Sequence, residues 1–301
     1  MITIIGGSNI DLYGHHSQSA TTSYHDSIPG EIKYHAGGVG RNIAENLGRL
    51  GCRPCLITVL GDDSHADLIM ATLSDADVDT TQIIRRKHAR SDGYMAMFHK
   101  NGEMITAVND MSLIESLDTD AVKRHITGMI AGDFVIMDGN VDGDIIQAVC
   151  TDDAPYRIGF DGVSSHKAVK IKPYLARLSL LKCNRQEAAA LTGLPVEALD
   201  FDHARALREA GVETVVISDG PDGFMIGHGE GYERFAAEPS HHIINVSGAG
   251  DALMAGVIYG LSEGMDIRST GELAAQLAQL TLSCDGPVHQ DIATLIKRDT
   301  P

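Results

Sequence analysis

The amino-acid sequence predicts an α/β fold in which helices cover both faces of a mostly parallel sheet. Six short apolar runs alternate along the chain with segments whose apolar residues recur at helical spacing, such as 42–50 and 204–210. Strands that are apolar throughout and separated by helices are typical of parallel sheets buried on both faces. The six runs are ITIIGG, CLITVLG, DFVIMDGN, YRIGFDG, LSLLKCN and TVVISDG.

Each of these predicted strands ends in polar or glycine residues. Ligands of open α/β sheets bind outside the carboxyl ends of the strands, so these positions are candidates for a binding site. The strand ends are Gly6-Gly7, Gly61-Asp62, Asp138-Gly139-Asn140, Asp161-Gly162, Asn184 and Asp219-Gly220.

Two segments interrupt the alternation. Residues 13–35 are polar and close with Ser27-Ile28-Pro29-Gly30 followed by Glu31-Ile32-Lys33-Tyr34. Residues 92–109 have a hairpin pattern with Asn101-Gly102 as its turn. Both lie between strands and helices of the main pattern. We therefore expect a single domain spanning residues 1–301, in which these two segments form a small β-sheet lid over one edge of the main sheet.

Composition excludes several classes of protein. The chain has 301 residues and a formal net charge of −17, with no run of Lys or Arg, which argues against nucleic-acid and anionic-membrane binding. No apolar stretch approaches the roughly 18 residues of a transmembrane helix, and no signal-peptide pattern opens the chain. The five scattered cysteines indicate reduced thiols, so we expect a cytoplasmic protein. A phosphate-bearing ligand would then be held by backbone amides and a metal ion rather than by a lysine cluster.

The segment that most strongly indicates chemistry is NVSGAGDALMAG, residues 245–256. Gly248, Ala249 and Gly250 open an apolar helix, whose first N–H groups can converge on an anion. Asp251 follows directly, where a carboxylate could deprotonate a hydroxyl while the amides stabilise a transferring phosphoryl group. Asp251 could instead simply complement the helix dipole. That simpler role does not require three small residues beside the acid.

Two further segments could hold a sugar. Asn9 and Asp11 follow the first strand, and a carboxylate there can accept two hydrogen bonds from a vicinal diol. In the second segment Gly38 lies in a glycine-rich loop that lets a ligand approach the backbone, and Asn42 lies in the first turn of the helix that follows. The simpler alternatives are an Asx turn for the first segment and a flexible loop with a helix cap for the second.

Two other segments suit a nucleotide. Ser218, Gly220 and Gly223 form a glycine turn after a buried strand, where a triphosphate could lie. Asn184 and Glu187 are three residues apart on one face of a starting helix, a pair that can hold Mg²⁺ through waters. A plain turn and an ordinary helix N-terminus are the alternatives. Lysines 167, 170 and 172 could assist phosphate binding, although a solvated helix face is the simpler explanation.

Taken together and in this order, these segments resemble the ribokinase-like (PfkB) family of carbohydrate and nucleoside kinases. The resemblance rests on GGVGRNIAENLGRLG and NVSGAGDALMAG, which match the two signatures of the family, and it covers nearly the whole chain. It implies a three-layer α/β/α Rossmann-like domain with a β-sheet lid that often serves as a dimer interface. Within the family, SNIDLYG, GGVGRNIAENL and GEMITAVNDM are most similar to members that phosphorylate the 5′-hydroxyl of pseudouridine.

The resemblance also implies roles for individual residues, with ATP and Mg²⁺ as cofactors. Asp251 would be the general base, and Gly248, Ala249 and Gly250 would form the anion hole. Asn9, Asp11, Gly38 and Asn42 would hold ribose hydroxyls, with Asn140 as a further substrate contact. The nucleotide and its magnesium would be held by Asn184, Glu187, Ser218, Gly220 and Gly223.

The resemblance leaves three points open. Many family members carry Asp at position 245 and Asp-Thr where this chain has Val246-Ser247, close to the monovalent-cation loop, so activation by K⁺ is uncertain. The same chemistry on ribose, adenosine or another sugar remains an alternative. A nucleoside-binding regulatory module that has lost phosphoryl transfer is the alternative outside the enzymes.

Overall fold

The computed structural model describes residues 1–17, 27, 29–101, 103–237 and 244–296. Within them the strands are β1 Ile2–Ile5, β2 Asn9–His16, β3 Gly30–Gly37, β4 Cys55–Ile57, β5 Val59–Leu60, β6 Ile84–Arg85, β7 Asp92–Phe98, β8 Met104–Asp110, β9 Phe134–Asp138, β10 Arg157–Asp161, β11 Leu180–Asn184, β12 Thr214–Ser218, β13 Phe224–His228 and β14 Gly231–Phe235. The α-helices are α1 Val39–Arg49, α2 Ser64–Asp75, α3 Thr119–Ile126, α4 Gly143–Cys150, α5 Ser165–Ala168, α6 Arg185–Thr192, α7 Asp200–Glu209, α8 Ala249–Ser262 and α9 Ile267–Leu282. Short 3₁₀ helices lie at Ile114–Ser116, Val169–Arg177, Gly220–Asp222 and Ile292–Thr294.

The main sheet has the strand order β14-β13-β12-β11-β10-β9-β1-β4 in the described residues. From β4 to β12 all neighbours are parallel, so the predicted α/β fold is confirmed. All six predicted runs contribute a strand to this sheet. An antiparallel hairpin, β13 and β14, extends one edge and was not predicted from the sequence.

The apolar strands are buried because helices pack on both faces of the sheet. In β1, Ile4 packs in one core cluster with Ile43 of α1 and Val257 of α8. The next residue, Ile5, belongs to a second cluster with Val122 of α3. Successive strand residues point to opposite faces, so each apolar strand contributes to two cores. The result is the predicted three-layer α/β/α arrangement.

A second sheet has the order β3-β2-β7-β8, with β2 and β7 parallel and the outer pairs antiparallel. Register partners share a face, so Asp11, His35 and Tyr94 lie on one side of this sheet, which we call the inner face. Leu12, Tyr34 and Met95 lie on the opposite side, the outer face. A lid role for this sheet stays a prediction. Residues 18–26, 28 and 102 of the two predicted lid segments lie outside the described residues.

The connection between β7 and β8 is longer than the two-residue turn that Asn101-Gly102 predicts. Strand β7 ends at Phe98 and β8 begins at Met104, and the N–H of His99 donates to the carbonyl of Glu103 (2.8 Å). The pairing register shifts between Met97 and Phe98, which indicates a β-bulge at the end of the hairpin.

Two properties of the whole chain bear on its environment. In the part of the chain that the structure describes, no helix is both long and apolar enough to cross a bilayer. All five cysteines are unpaired.

Candidate active site

The first turns of α1 and α8 meet, and this brings together two residues 209 positions apart in sequence. Nδ2 of Asn42 in α1 donates to Oδ2 of Asp251 in α8, with a distance of 2.6 Å, and both side chains are buried. Each helix follows a glycine-rich loop. The structure thus joins the predicted base to one of the predicted sugar-binding residues.

The backbone before Asp251 has a conformation and a space that only glycine fits. Gly248 precedes α8 with φ 81°, in the left-handed region, and a Cβ atom there would lie 2.0 Å from the carbonyl oxygen of Pro287. In the described residues no acceptor receives the N–H of Ala249, Gly250 or Asp251. Three unpaired N–H groups at a helix start can bind an anion, and the helix dipole there also favours negative charge.

Burial makes Asp251 a weaker acid than an ordinary aspartic acid. Removal from water raises the pKa of Asp251 to about 7, the charge of Asp161 adds to this effect, and Lys182 and the Asn42 hydrogen bond oppose it. Such a carboxylate is a usable base near neutral pH, because its pKa matches the operating pH. Its environment is therefore suited to proton removal as well as to charge pairing.

A buried lysine lies beneath the anion-binding loop. Nζ of Lys182 in β11 is 3.0 Å from Oδ2 of Asp161, and a Cβ atom at Gly250 would lie 2.9 Å from the same Nζ. Burial lowers the pKa of Lys182, but Asp161, Glu187 and Asp251 raise it by more, so the ammonium stays charged. Its positive charge supplements the amides at the place where a phosphate would sit.

The sugar-binding candidates Asn9 and Asp11 lie together on the inner face of the small sheet. Asn9 Nδ2 donates to Asp11 Oδ1 (2.7 Å) and the Tyr13 hydroxyl donates to Asp11 Oδ2 (3.0 Å). A Cβ atom at Gly37 would lie 2.4 Å from this carboxylate, so glycine is required opposite it. Burial raises the pKa of Asp11, and the Asn9 and Tyr13 hydrogen bonds partly counter that rise.

Asp138, at the end of β9, organises the neighbouring loops. Its Oδ2 accepts the N–H of Gly7 and of Gly40, each at 2.8 Å, and its Oδ1 accepts the N–H of Asn140 at 2.8 Å. Gly38 has φ 98°, and a Cβ atom there would lie 2.4 Å from the carbonyl oxygen of Gly7. One carboxylate thus ties the end of β1, the start of α1 and the loop of Asn140 into one unit.

Asn140 is buried in this unit and has a lysine partner. Lys167 Nζ donates to Asn140 Oδ1 (2.6 Å), and Lys170 Nζ donates to the carbonyl of Val141 (2.6 Å). Both lysines are half-buried, so the solvated helix face that we considered simpler is wrong for them.

The nucleotide candidates lie on the neighbouring strands. Asn184 and Glu187 form a capping box at the start of α6: Asn184 Oδ1 accepts the N–H of Glu187 (2.9 Å) and Glu187 Oε2 accepts that of Asn184 (3.0 Å). Ser218 is the register partner of Asn184 on β12, and Gly220 and Gly223 follow it with φ 53° and 89°. These residues therefore lie side by side at the carboxyl end of the sheet, and Lys182 on β11 connects them to the loop before Asp251.

The carboxylate oxygens near this site suit a divalent cation that is bound mainly by the phosphates of a nucleotide. In the described residues no group of three or more His, Cys, Asp or Glu side chains could enclose a metal ion. Asp161 Oδ2 accepts no hydrogen bond and has only the ion pair with Lys182, and Glu187 is a buried carboxylate nearby. Mg²⁺ typically takes one or two protein oxygens, several waters and phosphate oxygens, which this arrangement can supply.

Sequence reasoning missed Lys182 as a functional residue and treated Asp138 and Asp161 only as strand ends. A signal was present for Lys182, because LSLLKCN carries a charged residue inside an apolar strand, and a buried charge requires a partner. It also missed Arg41, which is among the largest fully buried side chains and contacts Asn42 and Glu45.

Comparisons with known proteins agree with this geometry. The sequence model of the pfkB family carbohydrate kinases matches residues 1–293. The pseudouridine kinase of Escherichia coli is 29% identical over 97% of this chain and 93% of its own length. A carbohydrate kinase from Agrobacterium tumefaciens superposes with a TM-score of 0.80 at 27% identity, covering 97% of this chain and 95% of that one. Arabidopsis thaliana ribokinase, solved with ribose and ATP, has a TM-score of 0.78 at 19% identity and 99% coverage of both chains, which shows a shared fold.

Proposed function

The chain belongs to the pfkB family of carbohydrate kinases and is a phosphotransferase acting on a hydroxyl group, and we propose that it phosphorylates the 5′-hydroxyl of pseudouridine with ATP. The E. coli pseudouridine kinase, which aligns over nearly the full length of both chains, supports this choice of substrate. Ribose, adenosine and other sugars are the alternatives within the same chemistry.

The observation that carries the proposal is the position of Asp251 beside unpaired helix N–H groups. An incoming hydroxyl that hydrogen-bonds to this carboxylate lies next to the amides of Ala249 and Gly250, where a terminal phosphate would bind. Asp251 takes the proton as the alcohol oxygen attacks, and the amides and Lys182 stabilise the charge of the transferring phosphoryl group. Catalysis is then mainly positioning and electrostatic stabilisation. A regulatory module without transfer would not need a buried carboxylate with a pKa of about 7.

The substrate and the nucleotide would bind on opposite sides of Asp251. Asp11, with Asn9 and Asn42, would accept or donate hydrogen bonds to ribose hydroxyls, and Gly38 would let the sugar approach the backbone. Asn140, fixed by Lys167, is a further substrate contact in this arrangement. Ser218, Gly220 and Gly223 would contact ATP.

Asn184 and Glu187 would hold Mg²⁺ through water, and the ion would offset the negative charge of the phosphates. The capping box fixes both side chains before the nucleotide arrives. Near the place where the resemblance puts the monovalent-cation loop, Asn245 Nδ2 donates to the carbonyl of Asp285 (2.9 Å).

The outer face of the small sheet supports a homodimer. Ile32, Tyr34, Met95 and Val108 are 63%, 58%, 45% and 60% exposed, and their register places them on one side of the sheet. An isologous pair buries the same patch from both subunits, and two sheet faces can stack at roughly 10 Å. In this proposal the inner face closes over the substrate as a lid while the outer face holds the partner copy. We place the enzyme in the cytoplasm, a reducing compartment in which free thiols persist.

A substrate panel tests the proposed function. ATP consumption would be coupled to an indicator reaction and kcat/KM measured for pseudouridine, uridine, adenosine, ribose and fructose 1-phosphate. We expect kcat/KM for pseudouridine to exceed the others by at least about 100-fold, because buried polar groups left unpaired by the wrong substrate are costly. A higher kcat/KM for ribose or adenosine would overturn the assignment of pseudouridine as the substrate. Binding of nucleoside without release of ADP would overturn the assignment of kinase activity.

A further inference from the structure

Arg41 is a charged side chain buried next to the proposed catalytic pair. It is 1% exposed and lies in the first turn of α1, beside Asn42. Burying a guanidinium is costly unless its charge and its donors are matched. Glu45, one helical turn further on, accepts from Arg41 and also from Arg49, whose Nε and terminal nitrogen lie 3.0 and 2.6 Å from Glu45 Oε1. The pairing retains Arg41 as a cation inside the protein.

The second partner of Arg41 fixes the orientation of an amide. Arg41 donates to Oδ1 of Asn42, and a guanidinium has donors only, so this atom of Asn42 must be the oxygen. The NH₂ group of Asn42 is therefore the one that faces Asp251, 2.6 Å from Oδ2. Without Arg41 the amide could rotate and present its oxygen to Asp251. That orientation suits a protonated carboxyl group, which cannot accept the proton of a substrate.

Other charged groups also act on Asp251, and they are all on different elements. Asp138 ends β9, Asp161 ends β10 and Lys182 lies in β11, whereas Asn42 is the hydrogen-bonding partner from α1. Asp138 and Asp161 favour the protonated form of Asp251, and Lys182 and Asn42 favour the ionised form. The charge of Arg41 also favours the ionised form, so Arg41 bears on Asp251 both through its contact with Asn42 and directly.

We propose that Arg41 is a positioning residue for phosphoryl transfer: it fixes the Asn42 amide so that the amide donates to Asp251 and the carboxylate remains the proton acceptor. This inference rests on the proposed role of Asp251 as the base. Arg41 touches neither substrate nor phosphate in this role. It acts through Asn42, and its charge also favours the ionised form of Asp251 directly.

The test compares pH profiles of kcat for Arg41→Met, Arg41→Lys and the control Arg49→Met. Arg49 shares Glu45 with Arg41 but does not contact Asn42. We expect Arg41→Met to move the acidic limb of the profile about one pH unit upward and so to lower kcat at pH 7 about fivefold, since the ionised carboxylate loses a fixed donor. In Arg41→Lys, kcat and the position of the acidic limb should both lie closer to those of the unmodified enzyme. Arg49→Met should change neither kcat nor the limb. A lower kcat with an unmoved limb would overturn the proposal.

A double-mutant comparison provides the second measurement. If Arg41 acts mainly through Asn42 and its charge adds only a small direct effect, then Arg41→Met lowers kcat much less in an Asn42→Ala background than in the unmodified enzyme. Additive losses would overturn the proposal. If Arg41→Met does not fold because Glu45 loses one of its two partners, Arg41→Met with Glu45→Gln removes the excess buried charge, keeps an acceptor for Arg49 and replaces Arg41→Met in both arms. Retained turnover in Asp251→Asn would instead refute the base assignment of the proposed function, whatever Arg41 does.

Discussion

The hydroxyl of Tyr13 lies 2.9 Å from Oγ of Ser247, and this contact joins the small sheet to the loop that precedes α8. Tyr13 has one hydroxyl proton, which it donates to Asp11, so Ser247 is the donor to Tyr13. A directed chain of hydrogen bonds thus runs from the loop of the anion-binding amides to the carboxylate proposed to hold ribose. The two halves of the site are connected before either substrate binds.

Tyr13→Phe is expected to weaken nucleoside binding more than turnover. The substitution removes one of the hydrogen bonds that fix Asp11, so we expect KM for the nucleoside to rise about threefold to tenfold, in line with a hydrogen bond worth roughly 1 kcal/mol. Steady-state kinetics at saturating ATP measures it. Ser247→Ala should have a smaller effect on KM, because Tyr13 can still donate to Asp11. Equal KM values in Tyr13→Phe and the unmodified enzyme would contradict a role for Tyr13 in holding Asp11.

Asp251→Asn is expected to lower kcat by about 10²–10⁴-fold, the usual contribution of a general base. The affinity for ATP, measured by calorimetry with Mg²⁺, should change less than threefold because the amides of the loop remain. Asp266→Asn is the matched control, since Asp266 also lies at a helix start but is exposed and caps α9. A comparable loss of kcat in the control would point to general damage instead.

The pH dependence follows from the same carboxylate. Because Asp251 must be ionised to accept a proton and burial raises its pKa to about 7, we expect kcat/KM to rise with pH and level off above about pH 8. A flat profile between pH 6 and 8, with saturating metal, would contradict this.

The contribution of Asp251 to folding stability is expected to change with pH in the direction opposite to kcat/KM. A carboxyl group with a raised pKa in the folded state binds its proton more tightly than in the unfolded chain, so its contribution to stability is lost as pH rises from about 4 to 7. Asp251→Asn should therefore raise Tm, and raise it more at pH 8 than at pH 5. Thermal unfolding at the two pH values measures the difference.

Gly248→Ala is expected to damage both stability and turnover. Gly248 has φ 81° and a Cβ there would lie 2.0 Å from the Pro287 carbonyl, whereas Gly193 has φ 78° with nothing within 4 Å of its Cβ position. We expect Gly193→Ala to cost about 1 kcal/mol from its backbone conformation alone and Gly248→Ala clearly more. Denaturant unfolding and kcat would be compared. Equal losses of unfolding free energy in the two variants would mean that the loop before α8 can shift to accommodate a Cβ atom at position 248.

The dimer proposal predicts that charge on the outer face separates the subunits. Ile32→Asp with Val108→Asp places like charges on both sides of the proposed interface, so light scattering should show a monomer. Leu199→Asp, at an equally exposed position on another surface, is the control. A monomer in the unmodified protein at micromolar concentration would refute the interface.

The sequence predicted the main sheet and the helix-start features of the candidate site, because both are local patterns. Gly248, Ala249, Gly250 and Asp251 are adjacent in the chain, and the apolar runs are visible as runs. The contacts that arrange the candidate site join residues far apart in the sequence, and the sequence did not predict them. Gly7 and Asp138 are 131 residues apart, and neither position alone indicates that one carboxylate gathers three N–H groups.

The hairpin β13–β14 was missed for a different reason. Its residues are only partly apolar, because it forms the edge of the sheet, where one side of the pairing is free and burial is incomplete. Arg41 escaped notice because a charged residue in a helix start is ordinarily on the surface. Its burial follows from tertiary packing between α1 and neighbouring elements.

The position of β1 has a consequence for how the chain acquires its shape on the ribosome. Strand β1 pairs with β4 and with β9, whereas β9 to β14 pair in chain order. Strand β1 must therefore wait until β9 has been synthesised before its second neighbour exists. The Asn42–Asp251 contact forms later still, since it needs α8, so under the proposed mechanism a nascent chain would not turn over ATP before α8 has emerged.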